Sequence, residues 1–232
     1  MGLNDFTIKR PERALPIFIL ADTSGSMDGE KITMLNNALR EMISTLAGIK
    51  DIRGSFKVCV ITFGNEVKVH QPLTDVGEIT LDELTAFGRT PMGEAIDLLV
   101  SLIEDKTIVP STAYTPTIVL VSDGLPTDIN VENATLDDYM TWEPIKRLHT
   151  DDCRASKCLR LAMGIGQDAD KDMLKAFINN DNIPVFKSNE AAGIEPFFKW
   201  VTMSTISRMT GTNPNEISVF YPVDVDTDDL PI

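Results

Sequence analysis

Apolar residues along this chain follow two alternating spacings. Residues 15–21, Leu-Pro-Ile-Phe-Ile-Leu-Ala, form an unbroken apolar run, the mark of a strand covered on both faces. From Ile32 the apolar positions recur three and four apart, at Leu35, Leu39, Met42 and Leu46. That spacing predicts a helix with one buried stripe, leaving Glu30, Lys31, Asn37, Arg40 and Glu41 turned to water. Phe56 to Phe63 predicts a second central strand, and the alternation of Val67 and Val69 across Glu66 to His70 predicts a short antiparallel strand at the sheet edge. Residues 74–89 lack a sustained period and read as a loop, with a helical turn around Leu81 to Leu84.

The same alternation runs through the second half. Thr90-Pro91 opens a helix with Met92, Ile96, Leu99 and Ile103 on its apolar face, and Pro91 suits its first position. Strands are predicted at Thr117–Val121, Cys158–Met163 and Pro184–Phe186, with a helix over Lys171–Ile178. A last helix starts at Pro196, reaches about Met209 and buries Phe197, Trp200 and Val201. Between these, residues 125–156 are polar, with one helix around Trp142 to Leu148. Strands alternating with helices predict an α/β fold: a doubly wound, mostly parallel central sheet with one antiparallel edge strand and helices on both faces. The expected division is an N-terminal lead over 1–13, one domain over 14–210, and an acidic extension over 211–232. In that extension Glu216, Asp224, Asp226, Asp228 and Asp229 have no Lys or Arg between them, and Ile217 to Tyr221 is strand-like.

Charge narrows the partners. A net charge of -14 with no Lys/Arg cluster argues against nucleic acid, and suits cations or basic partners. No apolar stretch reaches the length of a membrane span, so no membrane partner is expected. Cys59, Cys153 and Cys158 are too few for a disulfide scaffold and point to a cytoplasmic setting.

Candidate chemistry gathers where strands end, because an open α/β sheet places ligands beyond its carboxyl edge. Asp22, Ser24 and Ser26 occupy alternate positions after the first strand, with Gly25 available for a tight turn. Each of these positions is also an ordinary turn or helix-cap residue, as are Thr90 before Pro91 and Asp123 before Gly124. As a set they supply two carboxylates, three hydroxyls and no soft ligand. Such oxygens suit Mg²⁺, with Mn²⁺ or Ca²⁺ as alternatives, better than Zn²⁺.

The pattern Asp22-x-Ser24-x-Ser26, then Thr90, then Asp123 resembles the metal-ion-dependent adhesion site of von Willebrand factor A (VWA) domains, over about residues 14 to 209. The stretches Phe18–Met27, Gly88–Gly93 and Ser122–Thr127 bring the chain nearer to the VWA proteins of bacterial tellurium-resistance clusters. The resemblance implies that Ser24 and Ser26 bind metal directly, with Asp22, Thr90 and Asp123 acting directly or through water. It implies a non-enzymatic, metal-dependent protein-binding module in a stress response, whose partner supplies a carboxylate to the ion, with kinase or phosphatase partners. An acidic rim of Asp28, Glu30 and Asp128 would then repel acidic partners once the ion is removed.

Other readings compete. Asp22 could be the nucleophile of a Mg²⁺-dependent phosphatase or phosphotransferase, although Ser24 is a poor acid for that chemistry. Gly164-Ile-Gly166 with Glu190 sketches a nucleotide site, but too little chain follows for a dinucleotide fold. His149, Cys153 and Cys158 sketch part of a zinc site without an evident fourth ligand.

Overall fold

The structure, a computed structural model, describes residues 13–50, 54–216 and 219. Six strands form a single sheet in the order β3-β2-β1-β4-β5-β6. They are β1 (Arg13–Asp22), β2 (Gly54–Phe63), β3 (Val67–Asp75), β4 (Thr117–Ser122), β5 (Leu159–Ile165) and β6 (Phe186–Ser188). All neighbours are parallel except β2 and β3. The helices are α1 (Glu30–Gly48), α2 (Met92–Glu104), α3 (Leu136–Thr141), α4 (Glu143–His149), α5 (Lys171–Ile178) and α6 (Ile194–Thr210). This is the predicted α/β architecture, with β1 and β4 side by side at the centre.

Burial explains the pattern. From Leu15 to Ala21 every apolar side chain of β1 is fully buried, because helices cover both faces of the sheet. The α1 stripe of Ile32, Leu35, Leu39, Met42 and Leu46 and the α2 stripe of Met92, Ile96, Leu99 and Ile103 are buried as their spacing requires.

The departures from expectation are local. β3 is nine residues long and runs on through Pro72 to Asp75, with register irregularities against Val58–Ile61. Proline is tolerated there because β3 is an edge strand. The helical turn lies at Val76–Glu78, where the Asp75 carboxylate accepts from Gly77 N at 3.1 Å. Leu81 to Leu84 is not helical, since the buried Asn36 amide of α1 takes both backbone groups of Leu84, at 2.8 and 2.9 Å. The helix expected around Trp142 to Leu148 is α4, and a second short helix that was not expected, α3, precedes it. Thr135 and Asp138 form a capping box that starts α3. β6 begins two residues later than expected, where the Phe186 ring packs on Phe197 and Trp200.

Arg13, placed in the N-terminal lead, opens β1. Most of the acidic extension, including the strand-like stretch apart from Val219, lies outside the described residues. Its first residues fold back on the amino end of β4. The Arg208 guanidinium, 2% exposed, donates to Thr117 Oγ1, Thr115 O and Pro214 O at 2.6, 2.7 and 2.9 Å, while Asn215 Oδ1 accepts from Thr115 N. Burial lowers the Arg208 pKa to about 10. The oxygen cage is what makes this buried cation tolerable. Arg208→Met should therefore lower the unfolding free energy by about 3 kcal/mol, read as a fall in urea midpoint, because carbonyls would be left without donors. Arg208→Lys should recover less than Arg208 supplies, since an ammonium cannot reproduce the planar fork.

Candidate functional site

Asp22 and Asp123 come together because β1 and β4 are neighbours running the same way, with Ala21 opposite Val121 in the ladder. The two strands end level, and each chain turns into a loop carrying one carboxylate. Asp22 is fully buried: Oδ1 accepts from Ser24 N at 2.8 Å and Oδ2 from Ser122 Oγ at 2.5 Å. Ser24 Oγ lies 3.0 Å from Ser26 Oγ, and Ser26 Oγ donates to Asp123 Oδ1 at 2.7 Å. Asp22, Ser24, Ser26 and Asp123 are thus linked in one hydrogen-bonded group.

Thr90 approaches from the third loop and is buried. Its backbone is fixed to the β4 loop, with Thr127 N donating to Thr90 O at 2.9 Å and Thr90 N donating to Thr127 Oγ1 at 3.2 Å. A Cβ on Gly124 would stand 3.9 Å from Thr90 Oγ1, which sets that hydroxyl beside the Asp123 turn. The loop before Thr90 is fastened to the first loop by Gly25 N donating to Gly88 O and Phe87 N to Thr23 O. Gly88 has φ +97 and lies so close to Asn65 that a Cβ would sit 2.6 Å from its backbone, so glycine is required there.

Ser122, Thr127 and Lys31 extend the predicted set. Lys31 was expected to face water, yet its Nζ donates to Asp123 Oδ2 at 2.5 Å and to Ser26 O at 3.2 Å. A signal for it existed in the sequence. A lysine in the first turn of a helix opposes the helix dipole and needs a nearby anion to justify it. Asp128 also departs from the expected acidic rim. Its Oδ2 accepts from Glu94 N at 3.0 Å and so serves the start of α2, while Asp28 and Glu30 are exposed as predicted.

Burial pushes the Asp22 carboxyl up to about 6, although hydrogen bonds from Ser122 and Ser24 favour the charged form; Asp123 adds a smaller push upward. Two buried carboxylates with convergent hydroxyls make a site that gains from positive charge, and the Lys31 ammonium already draws on the same oxygens. The donors fit a hard divalent cation by type. Among the described residues no three His, Cys, Asp or Glu side chains gather to hold a metal.

The enzyme and nucleotide readings fare poorly. Asp22 is enclosed and both its oxygens are engaged, which is unlike a nucleophile presented to a phosphoryl group. At the Gly164–Gly166 turn, the Asp170 carboxylate accepts from Asp172 N and Met173 N, occupying the helix start a phosphate would need.

Comparison with known proteins agrees with this architecture. Residues 17–125 match the profile of the von Willebrand factor type A domain. Among curated proteins, none matches the chain. The ArnB paralog VWA2 from Sulfolobus acidocaldarius is 16% identical with a TM-score of 0.59, covering 84% of this chain and 46% of that one. Proximal thread matrix protein 1 from the mussel byssus, described with a zinc-occupied MIDAS motif, is 19% identical with a TM-score of 0.59, over 83% of this chain and 48% of that one. The pilus adhesin SpaC from Lactobacillus rhamnosus GG is 12% identical with a TM-score of 0.64, over 86% of this chain and 31% of that one. The chain thus spans less than half the length of each of these proteins.

These matches overturn the cytoplasmic expectation, since a byssus thread protein and pilus adhesins share the fold. The physical reason lies in the thiols: all three cysteines are free and buried, and burial pushes Cys59 and Cys158 up to about 12. Such residues behave as small hydrophobes and carry no record of the redox compartment. From its sheet order, its strand-end loops and the matched profile, the chain has the von Willebrand factor type A fold.

Proposed function

We propose that this domain is a non-enzymatic protein-binding module that uses a divalent cation, Mg²⁺ first, at Asp22, Ser24, Ser26, Thr90 and Asp123 to capture a carboxylate of a protein partner. The observation that carries the reading is the hydrogen-bonded group of Asp22, Ser24, Ser26 and Asp123 at the ends of adjacent parallel strands, with Thr90 alongside. A hard ion bound by few protein oxygens retains exchangeable water positions, and a carboxylate can replace one of those waters. The VWA fold, shared with matrix and adhesive proteins, supports a binding role rather than a catalytic one. The motifs at Phe18–Met27, Gly88–Gly93 and Ser122–Thr127 favour a place beside tellurium-resistance VWA proteins in a stress response, with kinase or phosphatase partners.

Three outcomes test this. In a pull-down run with Mg²⁺, with EDTA and with Asp22→Ala, partners should be retained only by the wild-type chain with Mg²⁺; equal retention in all three contradicts a metal bridge. Lys31→Met removes a cation that shares Asp123 with the ion, and should raise Mg²⁺ affinity by roughly threefold or more in calorimetric titration.

The third outcome concerns stability in EDTA. Because the folded Asp22 pKa is raised, the native state holds the extra proton between the unfolded value of 3.8 and about 6. Stability must then fall as pH rises through that window and stay low above it. Asp22→Asn should therefore stabilise the protein in EDTA at pH 7.5 by up to about 3 kcal/mol in urea unfolding, with little gain near pH 4, while abolishing stabilisation by Mg²⁺.

A further inference from the structure

The two most exposed large apolar side chains of the described residues flank the proposed ion site. Phe87 is 70% exposed and Leu125 is 54% exposed. Neither is a loose loop tip. Phe87 N donates to Thr23 O at 2.7 Å, and Leu125 lies between the Asp123-Gly124 turn and Thr127, whose N donates to Thr90 O at 2.9 Å. Both loops are therefore pinned by the backbone bonds that assemble the site, and they hold apolar groups out to solvent.

Their placement is two-sided. Thr23 N bonds to Phe63 O, and a Cβ on Gly64 would stand 2.8 Å from Phe87 O, so Phe87 lies over the β2 end. Leu125 follows β4, and β1 with Asp22 runs between the two strands. Two strand spacings separate the flanks, about 10 Å. A carboxylate bound centrally would have an apolar wall on each side, which selects an acidic residue with an apolar neighbour before and after it. A terminal carboxylate has chain on one side only and would leave one wall bare. Arg89, exposed and without a salt bridge among the described residues, adds attraction for an acidic segment.

The chain contains such a segment. Among its acidic residues, Asp97 and Asp224 have large aliphatic residues on both sides. Asp97 belongs to α2 and pairs with Arg147 at 2.9 Å. Asp224, in Val223-Asp224-Val225, belongs to the acidic extension. Arg208 and Asn215 fasten the start of that extension to the amino end of β4, the edge opposite the site. The eight residue-to-residue steps from Glu216 to Asp224 reach at most about 29 Å. The route along β4 alone is about 20 Å, and passing around a helix layer adds about 10 Å. That leaves no slack for the chain to reach its own site.

Resting on the metal-bridged reading above, we propose that the ion site binds the Val223-Asp224-Val225 segment of a second copy of this chain, the Asp224 carboxylate meeting the ion and the two valines packing on Phe87 and Leu125.

The test uses a fluorescent synthetic peptide of residues 219–232, titrated with the full chain, together with sedimentation velocity of the full chain. In Mg²⁺ the peptide should bind; an Asp224→Asn peptide should not, and Val223→Ser with Val225→Ser should weaken it about tenfold. Phe87→Ser with Leu125→Ser in the protein should cost a similar factor while leaving calorimetric Mg²⁺ binding intact. The full chain should self-associate in Mg²⁺ and not in EDTA. Normal Mg²⁺ binding without peptide binding overturns this inference and leaves the metal-bridged reading standing, whereas absence of Mg²⁺ binding overturns both. Peptide binding that survives EDTA, or that ignores Asp224→Asn, overturns the proposed docking. A full chain that stays monomeric in Mg²⁺ at concentrations saturating for the peptide overturns the second copy as occupant.

Discussion

Two carboxylates buried at the ends of adjacent parallel strands are the constraint around which this domain is built. Asp22 and Asp123 repel one another in a place with little water, and burial, with a smaller push from Asp123, lifts the Asp22 carboxyl to about 6 against the hydrogen bonds that favour its charged form. The surrounding groups answer that cost with donors: Ser24 N and Ser122 Oγ on Asp22, Ser26 Oγ and Lys31 on Asp123. A core built only for stability would favour apolar side chains at such a position. Their presence marks the strand ends as a place where the fold concedes stability.

Much of the architecture was legible because the core positions obey strict periods. A seven-residue apolar run can be buried only as a central strand when helices flank it, and the α1 and α2 stripes fix which side of each helix faces the sheet. The Lys171–Ile178 helix matches its prediction end to end. What escaped the sequence depends on contacts distant in the chain. Leu84 is not helical because Asn36, forty-eight residues earlier, claims its backbone groups. The unpredicted α3, by contrast, was signalled locally by Thr135 and Asp138, whose reciprocal bonds start a helix within a stretch of polar residues.

The candidate site was legible by residue type and loop position, and incomplete in its supporting groups. The sequence placed Asp22, Ser24, Ser26, Thr90 and Asp123 on loops at one sheet edge, as the strand ends now do. Lys31 was hidden by a helical wheel that assigns it to solvent, although it curls back over the loop to Asp123. Ser122 was named only within the Ser122–Thr127 stretch and given no role, yet its hydroxyl contacts Asp22 across a hundred residues of chain. Such partners are set by strand order, and strand order follows from long-range packing.

Asn36 carries one more implication. Its amide grips Leu84 in both directions, so the segment leading to Phe87 and Thr90 is coupled to the second turn of α1. α1 in turn lies against α6. A force applied through a tethered ligand at the sheet edge would therefore be shared by two long helices as well as by the central strands. The loop that carries Thr90 is thus anchored twice, once to the central strands and once, through Asn36, to the outer pair of helices.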